Sequence, residues 1–256
     1  MDLRDKISDI VVGASELMLS DTFEISQKEG YANIVTSSDV AVQEYLRAHL
    51  LELLPESGFL CEEEDFHDLS HEYTWIIDPI DGTANYSRGI DECAICVGLK
   101  HLSEMVEAVV YLPRKKELFT ASKGGGAFLN GKRIHVSDRP FQNAVLCTAL
   151  CVYHKENARV CSEIIYDAFM QCNDVRRFGA AAPELCYLAL GRCELYFEYN
   201  LSPWDYAAAS LILTEAGGVI SDLHGQSPSL TSCSGILAAN TLENLQQMAK
   251  ITGKYL

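Results

Sequence analysis

The sequence predicts an α/β protein with an antiparallel sheet in its N-terminal half and a mostly parallel sheet in its C-terminal half. Three strand-like runs (93–99, 105–112 and 118–121) follow one another without helical periodicity between them, which is typical of an antiparallel meander. After residue 143 strand-like and helical patterns alternate, and such alternation favours parallel strands with helices on the faces of the sheet. We therefore expect two units, 1–142 and 143–256.

The composition is that of a folded protein, because 48% of the 256 residues are hydrophobic. The formal net charge of −16 at pH 7 argues against nucleic acid or an anionic membrane as a partner, since both would repel the chain. No apolar run is long enough to span a membrane, and the charged first residues do not form a signal peptide. The ten cysteines are scattered through apolar segments, as expected of buried, reduced thiols in a cytoplasmic protein.

The first part of the chain predicts two helices joined by a loop. Apolar residues recur at helical spacing over 2–19, and a second helix begins near Asp39 and ends before Pro55. The polar stretch 20–33 between them is expected to be a loop that carries Lys28. From the sequence alone, Asp39 is interpreted as a helix-capping residue.

A short apolar strand, 58–61, runs directly into the acidic residues 62–65. A lone acidic run is usually a solvated loop. This run ends a strand, however, so one of its carboxylates could join a site built at strand ends. His67 and His71 have helical spacing but lie in a polar loop without a further ligand, so we expect them to be exposed.

Residues 75–85 (Trp-Ile-Ile-Asp-Pro-Ile-Asp-Gly-Thr-Ala-Asn) are the most informative stretch. Apolar strand residues lead into Asp78, and we expect Pro79 to stop the strand there because proline lacks an amide proton. Asp81 then lies close to Asp78, and two carboxylates at the end of an apolar strand repel each other unless a cation neutralises them. Their oxygens suit a hard divalent ion such as Mg²⁺. The alternative is an ordinary turn in which the Asp side chains bind the backbone.

Gly82 and Thr83 follow the acid pair and open the next helix. Backbone amides at the start of a helix can bind an anion such as phosphate. Metal ligands and an anion site within residues 78–83 together indicate metal-assisted chemistry on a phosphate ester.

A two-residue hairpin is predicted at Asn130-Gly131, where short apolar runs flank the Asn-Gly turn signal. In the second half of the chain we assign alternating strands and helices. The strands are 145–150, 174–178, 194–199 and 235–239, and the helices are 155–171, 181–190, 204–216 and 241–251. In such sheets ligands bind at the carboxyl ends of the strands, next to the starts of helices.

Two acidic residues of the second half lie at such positions: Glu198 ends a strand, and Asp205 opens the helix that follows. Capping is the default interpretation of a helix-starting Asp. Here the helix is almost wholly apolar and so predicted to be buried, which would make Asp205 face an enclosed crevice. Arg176 and Arg177, before a helix start rich in small residues, are either surface ion pairs or contacts to a second phosphate.

Residues 75–85 and 204–218 resemble the two signatures of the inositol monophosphatase family, the Mg²⁺-dependent, lithium-sensitive phosphatases. The resemblance covers nearly the whole chain, including 35–39, 62–63, 126–131 and 176–182. It implies a layered α/β/α/β/α sandwich, usually assembled as a homodimer. It also implies hydrolysis of a small sugar or polyol phosphate, above all inositol monophosphate, by direct attack of water without a covalent intermediate.

The same resemblance implies specific roles for the residues. Two to three Mg²⁺ ions would be held by Glu62, Asp78, the backbone carbonyl of Ile80, Asp81 and Asp205. The catalytic residues would be Asp39, Glu62 and Thr83, with Asp39 and Thr83 forming a hydrogen-bonded pair that orients the attacking water. The substrate would contact Asp81, Gly82, Thr83, Gly179, Ala181, Glu198 and Asp205.

The chain departs from the usual family pattern at Cys61, Asn33, Ser202 and Pro183. None of these is an implied metal ligand, so the departures bear on the substrate more than on activity. The alternatives are relatives that hydrolyse histidinol phosphate, fructose 1,6-bisphosphate or 3′-phosphoadenosine nucleotides. A further alternative is a binding protein that kept the fold without the activity.

Overall fold

The computed structural model describes residues 2–19, 23–28, 33–63 and 68–256, so 64–67 of the acidic loop, His67 included, lie outside it. The helices of the described ranges are α1 Leu3–Met18, α2 Ser37–Leu53, α3 Thr83–Tyr86, α4 Ala158–Phe169, α5 Ala181–Ala189, α6 Pro203–Glu215 and α7 Leu242–Thr252. The predicted helices are confirmed, although α4 is shorter at both ends than expected. Pro183 is accepted because it lies in the first turn of α5.

Strand β1, Ile25–Gln27, lies within the predicted loop 20–33 and pairs antiparallel with β2, Ile34–Thr36, as a short ribbon. The expectation of a plain loop is therefore wrong for Ile25–Gln27. Residues 20–22 and 29–32 of the same prediction lie outside the described ranges.

The larger sheet has seven strands in chain order. They are β3 Ser57–Cys61, β4 Tyr73–Asp81, β5 Ala94–His101, β6 Glu104–Leu112, β7 Glu117–Ser122, β8 Gly126–Leu129 and β9 Lys132–Arg133. All neighbouring pairs are antiparallel except β3 and β4, which confirms the meander. The hairpin at Asn130-Gly131 is confirmed too, because both residues have the positive φ (50° and 75°) that its turn type requires.

Strand β4 does not stop at Asp78 as predicted. It pairs with β5 up to Asp78, opposite Cys96, and again at Asp81, opposite Ala94, with a register shift between. Pro79 lies within this irregularity, where a missing amide proton costs no ladder hydrogen bond. The strand therefore carries both aspartates.

The smaller sheet has five strands: β10 Val145–Thr148, β11 Asp174–Arg176, β12 Leu195–Leu201, β13 Val219–Asp222 and β14 Ser234–Ala239. Their order is β11-β10-β12-β14-β13. Pairing is parallel on the β11-β10-β12 side and antiparallel on the β12-β14-β13 side. The sheet is thus mixed, and the expected parallel pairing holds for half of it. The antiparallel pairing arises from β13, which was not predicted. This strand connects to β14 without an intervening helix, and adjacent strands joined in that way pair antiparallel.

Five layers pack around three apolar cores, the central one lying on both sides of α5 and α6, which confirms the α/β/α/β/α arrangement. Helices α1 and α2 pack on one face of the seven-stranded sheet around Trp75. Helices α5 and α6 fill the space between the two sheets, and α4 and α7 cover the outer face of the five-stranded sheet. Because α6 also packs on β4 to β8, the units 1–142 and 143–256 share a core; the boundary between them stays a prediction.

The ten cysteines are all free, nine of them buried or half-buried, and Cys93 and Cys96 belong to different cores. Among the described helices, none has the length and apolar character needed to cross a bilayer.

Candidate active site

A cavity of about 380 Å³ lies between the end of β4 and the starts of α5 and α6. The predicted site residues that line it are Glu62, Asp78, Ile80, Asp81, Gly82, Thr83, Gly179, Ala181, Glu198 and Asp205. Asp39 is not in the wall but lies directly behind Thr83. The fold therefore brings together residues that are spread over more than half of the chain.

Asp78 is 1% exposed, and its Oδ1 has no hydrogen-bond partner among the described residues. Burial, followed by the negative charges of Glu62, Asp81 and Asp205, raises the pKa of the Asp78 carboxyl well above its usual range. A buried carboxylate oxygen without a donor is costly, and a bound cation is one ordinary way to stabilise it.

Asp81 binds the start of α5. Its Oδ2 accepts a hydrogen bond from the amide of Ala182 at 2.6 Å, and its Oδ1 accepts one from Ala181 at 3.3 Å. The residue at the N-cap of α5 is Ala180, which has no side-chain acceptor, so Asp81 satisfies these amides from the other sheet. Burial raises the pKa of Asp81 to about 7, although the two amides oppose the shift.

Asp39 serves both as part of a helix cap and as a partner of Thr83. Thr36 is the N-cap of α2, and its amide and hydroxyl donate to Asp39 Oδ2 at 2.7 and 2.5 Å. The other oxygen, Oδ1, lies 3.0 Å from Thr83 Oγ1, which is also 3.0 Å from the carbonyl oxygen of Ile80. The Thr83 hydroxyl has one proton and donates to one of these acceptors at a time.

Glu62 pairs with a cation from the ribbon before α2. Lys28 Nζ lies 3.1 Å from Glu62 Oε1 and 2.5 Å from Glu63 Oε1. Lys28 lines the cavity together with Asn33, one of the departures from the family pattern. From the sequence, Lys28 was expected only to lie in the loop 20–33, and no partner was predicted for it.

Asp205 lies at the start of α6, where its Oδ2 accepts a hydrogen bond from the amide of Ser202 at 2.7 Å. Burial, followed by the charges of Asp81 and Glu62, raises the pKa of Asp205 well above its usual range. The hydrogen bond from the Ser202 amide engages only one oxygen of the Asp205 carboxylate. Asp205 therefore caps the start of α6, as interpreted from the sequence, and also lies in the cavity wall.

Glu198 is held by the buried Tyr196, whose hydroxyl donates to Glu198 Oε2 at 2.7 Å. Burial raises the pKa of Glu198 to about 7, while Tyr196 and the charge of Arg177 oppose the shift. Arg177 lines the cavity, whereas Arg176 forms an exposed ion pair with Asp174 at 2.5 Å. The surface interpretation is therefore correct for Arg176. Arg177 is exposed as well, and because it also lines the cavity, its contact with a substrate stays a prediction.

Comparison with known proteins identifies a family whose model spans nearly the full length of the chain. Residues 4–255 match the model of the inositol monophosphatase family. The chain belongs to the inositol monophosphatase family. Among its relatives, the putative Nus factor SuhB of Neisseria meningitidis serogroup B is 38% identical over 228 residues, which are 88% of this chain and 87% of that protein. The Nus factor SuhB of Escherichia coli K12 is 36% identical over 207 residues, 80% and 77% of the two chains.

Solved structures of the same family superpose closely. The extragenic suppressor protein SuhB of Bartonella henselae has a TM-score of 0.90 at 28% identity and covers 98% of both chains. The IMPase of Thermotoga maritima has a TM-score of 0.88 at 26% identity, over 100% of this chain and 98% of that one. An IMPase/NADP phosphatase solved with Mg²⁺ and phosphate has a TM-score of 0.83 at 23% identity, over 96% and 90%, and shares the fold.

In this inositol monophosphatase family member, two polar residues at the cavity had no predicted role: Glu184, which lines the wall, and Asn85. Glu184 is 2% exposed, and its Oε1 accepts hydrogen bonds from the amides of Phe178 at 2.6 Å and Gly179 at 2.9 Å. Asn85 Nδ2 donates to the carbonyls of Phe178 at 2.7 Å and Glu92 at 2.8 Å. A signal for Glu184 was present, because it is the one charged residue of an otherwise apolar helix, α5.

Stability is expected to fall with rising pH because of Glu184. Burial raises the pKa of its carboxyl from 4.5 to about 8. Between these values the unfolded chain has lost the proton and the folded chain keeps it, so unfolding becomes easier as pH rises. Compared with a Glu184→Gln variant, which cannot ionise, the wild type should lose up to about 1.4 kcal/mol per pH unit from about pH 5 to about pH 8. Urea unfolding across this range measures the difference, and parallel pH profiles of the two proteins would contradict it.

The carboxylates face one cavity without forming a closed cage. Within the described ranges, no three Asp, Glu, His or Cys side chains lie close enough together to hold an ion as they stand. The chemistry of the oxygen ligands nevertheless fits Mg²⁺, because the wall offers carboxylate and carbonyl oxygens, and no described residue donates a hydrogen bond to the buried Oδ1 of Asp78.

Proposed function

We propose that this protein is a Mg²⁺-dependent phosphomonoesterase that hydrolyses a small sugar or polyol phosphate, above all inositol monophosphate. The observation that carries the proposal is the buried Asp78, whose Oδ1 has no donor within the described part of the chain, in a cavity that Asp81 and Asp205 also line. The cavity has the size of a small-molecule site. Membership of the inositol monophosphatase family supports the same reaction class.

Two to three Mg²⁺ ions would be held by Glu62, Asp78, the Ile80 carbonyl, Asp81 and Asp205. When bound, Mg²⁺ offsets the charge of the phosphate oxygens and lowers the pKa of water. Asp81 and Asp205 each keep lone pairs for an ion beyond those used by backbone amides, since a carboxylate oxygen accepts more than one bond.

The pair of Asp39 and Thr83 would orient the attacking water. Asp39 is fully buried and fixed by the amide and hydroxyl of Thr36, so its position is rigid. When Thr83 donates its proton to Asp39, the lone pairs of its hydroxyl oxygen can accept a proton of water. The water oxygen would then point its own lone pair at the phosphorus.

The two ends of the cavity would bind the two parts of the substrate. Gly82 and Thr83 would contact the phosphate, and Gly179, Ala181 and Glu198 the alcohol. Gly179 has a φ of +88°, a conformation that residues with a side chain rarely adopt, so glycine preserves the shape of the cavity wall there. Tyr196 donates to Oε2 of Glu198, so Oε1 would be the atom that accepts a hydrogen bond from a substrate hydroxyl. A carboxylate there favours a polyol over a doubly phosphorylated substrate.

A phosphate-release assay tests this proposal. Inositol monophosphate, histidinol phosphate, fructose 1,6-bisphosphate and a 3′-phosphoadenosine nucleotide are each incubated with the protein, with Mg²⁺ or with EDTA. We expect Mg²⁺-dependent release, with kcat/KM for inositol monophosphate at least about tenfold above the others. No Mg²⁺-dependent release from any of the four would refute the proposal.

A second candidate is a binding role without catalysis, which is favoured by the relatives named as Nus factors. Replacing Asp78 by Asn separates the two, because a binding role would survive the change and catalysis would not. The homodimer implied by the resemblance stays a prediction, which sedimentation equilibrium would test.

A further inference from the structure

The alcohol end of the cavity contains a short segment, residues 177–179, that we call the pocket loop. It connects β11 to the turn before α5 and contributes Arg177 and Gly179 to the cavity wall. We propose that Asn85 and Glu184 are positioning residues that hold the pocket loop at the distance from the phosphate end that the substrate requires. This inference rests on the proposed function and assigns roles to two residues that do not act on the phosphate.

The pocket loop is held from two sides. From α3, Asn85 Nδ2 donates to the carbonyl oxygen of Phe178 at 2.7 Å. From α5, Glu184 Oε1 accepts from the amides of Phe178 and Gly179 at 2.6 and 2.9 Å. Three hydrogen bonds thus fix two consecutive residues that belong to no helix or strand. A Cβ at Gly179 would lie 3.3 Å from both polar atoms of the Asn85 amide, so the loop backbone packs directly against that side chain.

Both anchors are themselves rigid. Asn85 also donates to the carbonyl oxygen of Glu92, and α3 is held independently by the Tyr86 hydroxyl, which donates to Ser38 Oγ at 2.9 Å. Every residue of α5, Glu184 included, is buried. When either anchor is lost, the part that moves is therefore the pocket loop rather than α3 or α5.

Loss of an anchor should affect substrate binding differently at the two ends of the cavity. The phosphate end of the cavity is built from residues 81–83, which remain held by Asp39 and by the start of α5. The alcohol end depends on the pocket loop. Loss of an anchor should therefore weaken binding of the alcohol portion and leave binding of inorganic phosphate unchanged.

Four variants test this inference. Asn85→Ala removes one anchor, and Glu184→Leu removes the other at similar volume. Glu184→Gln keeps the acceptor oxygen and serves as its control. Ser87→Ala, which removes an exposed hydroxyl of the same segment as Asn85, is the control for the first variant. Three quantities are measured: amide hydrogen exchange across 176–182 without substrate, kcat and KM for inositol monophosphate, and inhibition by inorganic phosphate.

In Asn85→Ala and Glu184→Leu we expect amide exchange at the pocket loop to accelerate by about tenfold and KM to rise by about tenfold. Inhibition by inorganic phosphate should stay within about twofold of wild type. Glu184→Gln and Ser87→Ala should match wild type in all three measurements. Unchanged exchange in both anchor variants, or parallel weakening of ester and phosphate binding, would overturn the inference.

If Glu184→Leu does not fold, Asn85→Ala alone decides the outcome. A wild-type protein that releases no phosphate from any ester would refute the proposed function, and the exchange measurement would still decide whether the two anchors hold the loop.

Discussion

Replacing Asp78 by Asn is expected to lower Mg²⁺-dependent phosphate release by about 100-fold or more, while the metal-free protein becomes no less stable. Asn has nearly the same size, so the cavity keeps its shape, but one negative charge is removed from the proposed metal site. In the wild type this carboxylate is 1% exposed and its Oδ1 has no donor among the described residues, so its ionisation is costly. A neutral amide avoids that cost.

Turnover should fall while the stability of the metal-free protein does not, and this difference separates a metal ligand from a structural residue. Turnover is measured at saturating Mg²⁺, and thermal unfolding with Mg²⁺ and with EDTA. Mg²⁺ should raise the melting temperature of the wild type, because an ion that binds the folded state stabilises it, and should raise that of the variant much less. Asp9→Asn, the same change on the exposed side of α1, is the control. Wild-type turnover and Mg²⁺ dependence in Asp78→Asn would refute the metal assignment.

Replacing Gly82 by Ala is expected to damage both stability and turnover. Gly82 has a φ of +86°, a conformation that costs an L-residue about 1–2 kcal/mol. A Cβ there would also lie 2.9 Å from the Cβ of Ala180 and 2.9 Å from the carbonyl oxygen of Glu92. Because Ala180 precedes α5, the clash would push the end of β4 away from the pocket. A displacement of about 1 Å at a reacting group can cost about 100-fold in rate.

Gly89→Ala is a matched control for that variant. Gly89 also has a positive φ, +72°, but a Cβ there would meet nothing within 4 Å. Both variants should therefore lose stability from backbone strain, and Gly82→Ala alone should lose turnover and the additional stability that the clash removes. Urea unfolding and kcat/KM measure the two effects. Equal losses in the two variants would show that the contact with Ala180 is unimportant.

Local sequence patterns correctly predicted those structural features that depend only on residues close together in the chain. The Asn130-Gly131 hairpin follows from two residues that tolerate positive φ, and the meander follows from alternating apolar runs. The same patterns failed for β13, a short strand directly after the glycines that end α6, and for β4, whose register shift lets the strand continue through Pro79. Pairing direction in the smaller sheet was also missed, because it depends on which strands become neighbours.

The sequence by itself determined the residue types of the candidate site, since Asp78, Asp81 and Asp205 lie in two long signatures at strand ends and helix starts. The tertiary structure alone decided what each residue contacts. The bond from Asp81 to α5 and the bond from Asn85 to the pocket loop join positions about 100 residues apart. Hydrogen bonds across such separations depend on how the two sheets pack around α5 and α6. The periodicity of apolar residues along the chain does not determine that packing.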